Sequence, residues 1–273
     1  MNNIYADLHM HTLCSDGKHE TAKLTEIIAS QNIDVLSITD HDTILAYSQL
    51  PSGVDFVSGC ELTLQFGPKL IHMLAYGFDL GNEILNNYLK SIKEQRINRA
   101  SVIFNQLINK GLELSLDDFL ENAKSEVITR THIADYLIKN EFVKNNYLAF
   151  EKYLSDKALD IPPAMKVHSV EEGMKMIAKA GGFCSLAHPG NHYSQDELYQ
   201  LIKFGMRGIE VYHPSNGRVA TKRHTTFARQ YQLKITGGSD YHGRHTGEDY
   251  NLSHFGLSKT QFEALGLEIQ KSA

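Results

Sequence analysis

The sequence predicts an α/β fold, a β/α barrel or related parallel fold that is interrupted by a helical insertion. Three observations lead to this prediction. Strand and helix patterns alternate at both ends of the chain, and helical patterns fill the middle. The length of 273 residues suits one domain of barrel size, or one domain with a sizeable insertion.

The first part of the chain predicts four strands and one helix. IYADLHM is typical of a strand, and TAKLTEIIASQN predicts an amphipathic helix because Leu24, Ile27 and Ile28 fall on one stripe. IDVLSITDHD predicts a buried strand that runs into a turn of carboxylates and histidine. Two β-rich runs, DFVSGCELTLQF and KLIHMLAYGF, are separated by the turn dipeptide Gly67-Pro68.

The middle of the chain, residues 82–165, is predicted to be a helical insertion. A long helical pattern ends at Gly111, and SLDDFLENA then begins with a serine N-cap. THIADYLIKN and NNYLAFEKYLSD predict further short helices, and Pro162-Pro163 closes the region. We therefore expect a barrel domain from residues 1–81 and 166–273, with the insertion between them.

The alternation then resumes. SVEEGMKMIAKAGG, SQDELYQLIKFG and VATKRHTTFARQYQ predict helices, whereas FCSLAHPG, GIEVYHP and KITGGSD predict the strands between and after them.

The composition excludes several classes of protein. Hydrophobic content of 42% and charged content of 22% are ordinary for a soluble protein, and a net charge of −5 carries no basic signature for nucleic acid. Any phosphate ligand would have to meet local arginine, lysine or metal charge. Three widely spaced cysteines predict a reducing cytoplasm. No signal peptide is evident, and no apolar run approaches the ~18 residues of a membrane span.

Potential metal ligands collect near the ends of the predicted strands. Residues two apart on a strand face the same way, so His9 and His11 can converge on one ion, and Asp240 and His242 can do likewise. In parallel barrels the carboxyl ends of the strands form the active site. The predicted ligands are His9, His11, Asp16, His41, Glu61, His72, His188, Asp240 and His242.

Each of these residues also has an ordinary explanation. His72 alone is typical of a packed histidine, and Asp16 in Ser-Asp-Gly is typical of a turn. Packing histidines would not collect at successive strand ends, so the joint pattern favours a metal cluster. Imidazole and carboxylate ligands suit Zn, Mn, Fe, Co or Ni. Nine residues are too many for one tetrahedral zinc, which indicates two or three ions.

The motifs DLHMHTLCSDG, ITDHD, GCE, IHMLAYG, LAHPG and GSDYHG resemble, in order, those of the PHP (polymerase and histidinol phosphatase) superfamily. The resemblance covers essentially the whole chain. It implies a distorted (β/α)7 barrel and a centre of three divalent metal ions, most often Mn, with Fe or Zn as alternatives.

The resemblance also implies how the ligands are divided among the ions. Glu61 would bridge the first and second ions. The implied sets are His9, His11, Glu61 and Asp240 for the first ion, Glu61, His72 and His188 for the second, and Asp16, His41 and His242 for the third. Asp7 shares the face of the first strand but lies deeper, which favours a structural or indirect role.

Within the superfamily, the sequence resembles the YciV/TrpH-type branch, which includes ribonuclease AM. The features that carry this resemblance are Asp16 in SDG, the place of the insertion, and the stretches EQRINRA, TRTHIADYL and KYLSD. They imply hydrolysis of nucleotide or short-RNA phosphate esters by a metal-bound hydroxide. The implied activities are removal of the 3′-phosphate from 3′,5′-bisphosphonucleosides and 5′-to-3′ trimming of short RNA. His41, His242 or a metal-bound water would protonate the leaving oxygen.

Four residues are predicted to contact the substrate phosphate. Arg130 and His132 lie where a helix begins, a position that favours anions. Arg99 and Arg96 share a helix face, and we expect Arg96 to be part of the solvated surface. His213 ends a strand and is the weakest of the four candidates. The role of His245, which follows GSDYHG, stays open.

Three rival functions remain possible at this point: a histidinol-phosphate-type monophosphatase, an inactive PHP module, and a proofreading domain that needs a separate polymerase. We expect a nucleotide or short-RNA substrate, no membrane, no obligatory protein partner and a cytoplasmic location.

Overall fold

A computed structural model describes residues 4–123, 125–155, 157–161, 168–244, 247–252 and 254–273. Strands and helices alternate at both ends of this part of the chain, so the α/β class is confirmed. The strands are β1 (Ala6–Asp7), β2 (Val35–Leu36), β3 (Asp55–Phe56), β4 (Gly59–Phe66), β5 (Lys69–Tyr76), β6 (Phe183–Leu186), β7 (Gly208–Tyr212), β8 (Lys234–Gly237) and β9 (Gln270–Lys271).

Helices fill the middle of the chain and separate the later strands. They are α1 (Thr21–Ser30), α2 (Glu83–Asn109), α3 (Leu116–Asn122), α4 (Arg130–Lys139), α5 (Asn146–Ala149), α6 (Val170–Lys179), α7 (Gln195–Phe204), α8 (Arg218–Gln230), α9 (Glu248–Leu252) and α10 (Lys259–Glu263). A 3₁₀ turn, Leu45–Gln49, follows β2, and a π-helical turn, Phe150–Leu154, follows α5.

Side chains at the helix starts satisfy free backbone N–H groups. The hydroxyl of Ser115 accepts a hydrogen bond from the Asp118 N–H at 3.1 Å, which is the N-cap that the sequence predicts for α3. At α6, Ser169 and Glu172 cap each other's backbone N–H groups. Local sequence therefore sets where these helices begin.

The strands form a four-stranded sheet in the order β1-β2-β3-β9 and a five-stranded sheet in the order β4-β5-β6-β7-β8. The pairs β1-β2, β2-β3, β6-β7 and β7-β8 are parallel, but β5 is antiparallel to both of its neighbours. A parallel arrangement throughout is therefore wrong. The turn at Gly67 and Pro68 is only two residues long and reverses the chain, whereas a parallel crossover needs a dozen or more residues.

Backbone hydrogen bonds connect the two sheets beyond their regular strands. The Asp240 N–H donates to the carbonyl of His9 at 2.8 Å, which places the chain after β8 beside the chain after β1. The Glu61 N–H donates to the carbonyl of Asp40 at 3.2 Å, which places β4 beside the chain after β2. The ends of four strands thus lie together, while a closed seven-stranded barrel stays a prediction.

Two apolar clusters lie in different parts of the chain, one at the five-stranded sheet and one among the middle helices. One packs α6 and the start of α2 against the five-stranded sheet. Another joins the end of α2 to the helices that follow, with Phe104, Phe119 and Leu137 at its centre. The middle of the chain therefore has apolar packing of its own. The predicted boundary at Pro162-Pro163 lies outside the described residues.

Among the described residues, no helix combines the length and the hydrophobicity that crossing a lipid bilayer requires.

Tyr47 connects three neighbouring backbone segments near the end of β2. Its hydroxyl donates to the carbonyl of Ile38 at 2.7 Å and accepts from the Gly59 N–H at 2.6 Å. The carbonyl of Val57 lies 3.0 Å from the same hydroxyl. One side chain thus satisfies backbone groups on both sides of the β2-β3 pair.

Replacing Tyr47 with phenylalanine should lower the free energy of unfolding by about 1–3 kcal/mol, because buried backbone groups lose their partner. Urea unfolding of Tyr47→Phe and wild type measures this difference. Tyr199→Phe is the matched control, since Tyr199 is 45% exposed. Equal midpoints for Tyr47→Phe and wild type would show that water replaces the hydroxyl without cost.

Candidate metal centre

His9 and His11 follow β1 and face the same side of the chain, as their spacing predicts. Their Nε2 atoms lie 3.3 and 3.2 Å from Oε2 of Glu61. The same two nitrogens lie 3.2 and 3.3 Å from Oδ1 of Asp240. Two imidazoles and two carboxylates therefore surround one point.

Glu61 belongs to β4 and presents its two carboxylate oxygens to different histidines. Besides the first-strand pair, Oε2 lies 3.4 Å from Nδ1 of His41. Oε1 lies 3.1 Å from Nδ1 of His72 and 2.9 Å from Nε2 of His188. A carboxylate whose oxygens serve two sets of imidazoles has the geometry of a bridging ligand.

His72 reaches this point from the interior of a strand. It lies four residues into β5 and pairs with Thr63 of β4. His72 is therefore an exception to the expectation that the ligands collect near the ends of strands. Because β5 is antiparallel to β4, cross-strand register brings its ring to Glu61.

Asp16 is the centre of a second group on the other side of His11. Its Oδ1 lies 3.3 Å from Nε2 of His242 and 3.7 Å from Nδ1 of His11, and its Oδ2 lies 3.9 Å from Nε2 of His41. Ligand-type atoms of these four residues lie within 4.8 Å of one another. All nine predicted ligands thus fall in one connected cluster.

A glycine allows the chain after β8 to approach the chain after β1. A Cβ atom on Gly238 would lie 2.4 Å from the His9 nitrogen, so any larger residue would push the two segments apart. His188 and Asp240 have positive φ angles of 30° and 53°. Such conformations are uncommon for these residue types and are often found at functional sites.

The cluster carries strongly shifted pKa values. Burial raises the pKa of Glu61, but the rings of His41, His9 and His72 outweigh burial and hold this pKa well below its ordinary value. Burial also raises the pKa values of Asp16 and Asp240, but neighbouring imidazoles outweigh it and hold these values well below the ordinary one. These three carboxylates are therefore ionised at neutral pH and suit a cation.

The histidines respond in two ways. Burial lowers the pKa of His41 to about 3, so its ring is neutral, which is the form that binds metals. Burial also lowers the pKa of His11, but the adjacent carboxylates of Asp240 and Glu61 outweigh it and raise the value to about 10. A metal ion would have to displace the proton of that ring.

Buried atoms that lack hydrogen-bond partners show that the residues fit metal ions. Among the described residues, the buried side-chain atoms without a partner include His11 Nε2, Asp16 Oδ1, His41 Nδ1 and His213 Nε2. Unsatisfied buried polar atoms are rare in proteins. Each of these atoms points toward other ligand-type atoms, so divalent cations would satisfy them.

Sequence reasoning missed Glu210, which lies fully buried in β7. Its Oε1 lies 2.9 Å from Nδ1 of His9, and its Oε2 accepts the His188 N–H at 2.6 Å. Such a partner fixes the tautomer and orientation of a metal-binding histidine. A glutamate inside the apolar run GIEVY was the signal, because an isolated buried charge needs a partner.

Two further buried carboxylates hold the backbone around the cluster. Asp7 accepts the N–H groups of His9 and Ser239, in line with the structural role expected for it, and burial raises its pKa to about 7. Asp40, which the sequence did not single out, accepts hydrogen bonds from Thr12 and Ser15. Asp40 thereby shapes the loop that carries Asp16.

Of the predicted phosphate-binding residues, Arg99 and Arg130 line a cavity of about 380 Å³. Asp16, His41 and His72 line the same cavity. The arginines and the ligand cluster therefore share one open space.

His132 and His213 have other neighbours in this structure, and their contact with the substrate stays a prediction. Nδ1 of His132 accepts the Thr129 N–H at 3.0 Å and so caps α4. His213 is only 4% exposed, and its Nε2 faces Oδ2 of Asp240 at 3.3 Å. The side chain of His132 caps its own helix, and that of His213 lies in a group of ligand-type atoms with His9 and Asp240. His245 lies outside the described residues.

Arg96 is not part of a solvated surface, so that expectation is wrong. Its side chain is 13% exposed and forms an ion pair with Asp42, whose side chain is fully buried. Helix spacing alone could not reveal this pair, because the carboxylate comes from a loop 54 residues away in sequence.

Several proteins are similar to this chain over most of its length. No protein-family model matches it. A 3′,5′-nucleoside bisphosphate phosphatase from Chromobacterium violaceum is 29% identical over 90% of this chain and 92% of its own. A phosphoribosyl 1,2-cyclic phosphate 1,2-diphosphodiesterase from Eggerthella lenta is 28% identical over 87% and 94%. A 5′-3′ exoribonuclease from Haemophilus influenzae is 28% identical over 86% and 89%. These relatives agree with the resemblance of the sequence motifs to the PHP superfamily. The chain is a metal-dependent phosphoesterase, which is a hydrolase.

Two solved structures share the fold of this chain. A Chromobacterium violaceum amidohydrolase, with bound sulfate and no metal, superimposes with a TM-score of 0.84 at 27% identity and covers 98% of each chain. A candidate metal-dependent phosphoesterase from Bifidobacterium adolescentis gives a TM-score of 0.81 at 26% identity, covering 95% of this chain and 94% of its own. The fold of these two structures is thus shared over nearly the whole chain.

Glu210→Gln should weaken metal binding by about 10–100-fold, because the His9 ring loses the carboxylate that orients it. Equilibrium dialysis of the metal-stripped protein against Mn²⁺ measures the change. Glu171→Gln is the control, since Glu171 is an exposed carboxylate in the first turn of α6. Wild-type affinity in Glu210→Gln would exclude an orienting role for Glu210.

Proposed function

We propose that this phosphoesterase acts on 3′,5′-bisphosphonucleosides, as a 3′-phosphatase, and on short RNA, as a 5′-to-3′ exoribonuclease. The observation that carries this proposal is the cavity of about 380 Å³, which has ligand-type side chains and the arginines Arg99 and Arg130 on its surface. A substrate with two phosphates matches a site in which the arginines supply one positive charge and the proposed metal ions supply another. The names of the relatives support the same substrate class.

The cluster is proposed to hold three divalent ions, with Mn the best candidate and Fe or Zn as alternatives. When bound, such ions lower the pKa of water and neutralise charge on the phosphoryl oxygens. The residues proposed to hold them are His9, His11, Glu61 and Asp240 for the first, Glu61, His72 and His188 for the second, and Asp16, His41 and His242 for the third.

Arg130 is proposed to bind the 5′-phosphate of the substrate. Its Nη1 donates to the carbonyl of Leu154 at 3.0 Å, and its guanidinium lies 5.9 Å from the ring of Phe150. These contacts hold the side chain at the cavity surface before substrate arrives, which lowers the entropic cost of binding. Arg99 lines this cavity and an adjoining one of about 750 Å³ that also contains His188.

His41, His242 or a water is proposed to give a proton to the leaving oxygen, and a ring that holds the third ion would leave this role to the water. His41 lines the cavity that contains Arg130. His242 lines a neighbouring cavity of about 350 Å³, and Asp16 lines both. Nδ1 of His242 donates to the carbonyl of Asp240 at 2.9 Å, so its Nε2 is the ring atom that faces Asp16. The two rings thus stand on opposite sides of one carboxylate.

A second candidate function is hydrolysis of a cyclic phosphodiester. The cyclic-phosphate diphosphodiesterase from Eggerthella lenta is nearly as similar to this chain as the bisphosphate phosphatase is. Both would be hydrolyses of a phosphate ester, which the proposed metal ions would assist in the same way. The shape of the cavity around Arg99 and Arg130 would decide between the two classes of substrate.

The architecture is proposed to be a distorted (β/α)7 barrel from residues 1–81 and 166–273, with the helical insertion at 82–165. The hydrogen bonds that join the ends of β1 and β8 support the barrel, and the separate apolar cluster of the helices supports the insertion. A cytoplasmic location is also proposed. The buried, unpaired thiols of Cys14, Cys60 and Cys184 suit a reducing compartment.

With Mn²⁺ supplied, the protein should hydrolyse 3′,5′-bisphosphoadenosine and short 5′-phosphorylated RNA faster than histidinol phosphate. Steady-state phosphate release and oligonucleotide gels measure the rates. Removal of metal with a chelator, or His9→Ala, should abolish activity because the first group of ligands is lost. Faster hydrolysis of histidinol phosphate or of a 1,2-cyclic phosphate would replace the proposed substrate, and no activity on any of them would favour an inactive PHP module.

Arg130→Ala should lower kcat/KM for 5′-phosphorylated oligonucleotides by about 10–100-fold, as expected for the loss of a charge-assisted hydrogen-bond pair. The rate on 5′-hydroxyl oligonucleotides should change little. Lys139→Ala is the control, because Lys139 is an exposed cation at the other end of α4. If Arg130→Ala retains the wild-type preference for 5′-phosphorylated ends, Arg130 does not bind this phosphate.

A further inference from the structure

Helix α2 of the insertion contacts the loop that carries His41, and one arginine makes that contact. We infer that Arg96 is a positioning residue for the group His11, Asp16, His41 and His242, and that it acts through Asp42. This inference rests on the metal centre proposed above and assigns a role to the insertion in building that centre.

The guanidinium of Arg96 is fully engaged with neighbouring groups. Its Nε donates to Oδ2 of Asp42 at 2.9 Å, and its Nη2 donates to the same oxygen and, at 2.9 Å, to the hydroxyl of Thr63. Its Nη1 donates to the carbonyl of Ile128 at 3.2 Å. Arg96 therefore joins α2, β4, the loop after β2 and the segment that leads into α4.

Asp42 is the residue through which this network reaches the candidate ligands. It follows His41 directly, and its N–H donates to the carbonyl of Glu61 at 3.0 Å. Its Oδ1 accepts the Thr63 N–H at 2.9 Å. The backbone of Asp42 thus bridges one candidate ligand to another, and any movement of this residue would move the ring of His41.

The conformation of Asp42 needs external support. Its φ angle is 50°, in the left-handed region that costs free energy for residues other than glycine. Its side chain is also fully buried, and a buried carboxylate is stable only when it is paired and hydrogen-bonded. Arg96 supplies the positive charge, so without it the loop can relax to an ordinary backbone conformation.

The contacts of Arg96 separate it from a substrate-binding arginine. It lines the same cavity as Arg99 and Arg130, so phosphate binding is the obvious alternative. A planar guanidinium binds phosphate through two parallel N–H groups. The Nε and Nη2 pair of Arg96 is already directed at the Asp42 carboxylate, which makes this side chain part of the cavity structure.

A second arginine holds the opposite side of the same group. Nε of Arg244 donates to the carbonyl of Asp16, and its Nη1 donates to Asp135 of α4 at 2.7 Å. The N–H of His242 is held by the carboxylate of Glu248 at 2.9 Å. The loops of the group are therefore attached to the insertion through α2 on one side and α4 on the other.

The test measures Mn²⁺ binding by equilibrium dialysis of the full-length, metal-stripped protein, followed by metal analysis. Arg96→Ala should lose one bound ion per chain or bind it about 10–100-fold more weakly, the usual effect of removing a residue that orients a ligand. Arg96→Lys should bind more tightly than Arg96→Ala but more weakly than wild type, because lysine keeps the charge but lacks the planar fork. Lys90→Ala should bind as wild type, since Lys90 is an exposed cation on the same helix.

Asp42→Asn provides the independent variant, and asparagine tolerates the left-handed conformation. If Arg96 acts through Asp42, Asp42→Asn should weaken binding like Arg96→Ala, and the double variant should be no weaker than either single one. Should Arg96→Ala fail to fold, Asp42→Asn and Arg96→Lys carry the same comparison.

Unchanged stoichiometry and affinity in the folded Arg96 and Asp42 variants would overturn the inference while leaving the metal centre intact. Additive losses in the double variant would also overturn it, because they would show that the two residues act separately. A wild-type protein that binds no Mn²⁺ would overturn the proposed metal centre together with this inference.

Discussion

The carboxylate of Glu61 is the point on which the rest of the structure depends. The rings of His9, His11, His41, His72 and His188 lie 2.9–3.4 Å from its two oxygens, and the side chain is almost completely buried. A buried charge surrounded by imidazoles is unfavourable unless cations or protons balance the whole set. This electrostatic requirement explains why so many elements of the chain converge on one place.

The backbone meets the requirement with two different devices. The parallel strands bring the residues that follow β1, β2 and β8 to one side of the sheets, as in other α/β folds. The antiparallel hairpin of β4 and β5 supplies Glu61 and His72 through cross-strand register instead. Because the fold combines parallel strands with an antiparallel hairpin, candidate ligands lie within a strand as well as after its end.

Buried polar residues around the cluster fix the rings that the strands deliver. Glu210 binds Nδ1 of His9 and the backbone of His188, so two candidate ligands depend on one carboxylate. Arg96 and Arg244 attach the ligand-bearing loops to α2 and α4. Helices α2 and α4 thereby combine two tasks, because their residues Arg99 and Arg130 also line the cavity beside the cluster.

Local sequence determined the α/β class, the succession of most helices and strands, and the identity of the candidate ligands. Helix caps and two-residue periodicity act between neighbours, so Ser115 and the pair His9 and His11 were readable without a structure. Tertiary structure alone decided the burial of His213 and the partners of Glu210 and Arg96. Those properties depend on residues far apart in sequence, such as Arg96 and Asp42, whose attraction exists only after the fold has removed both from water.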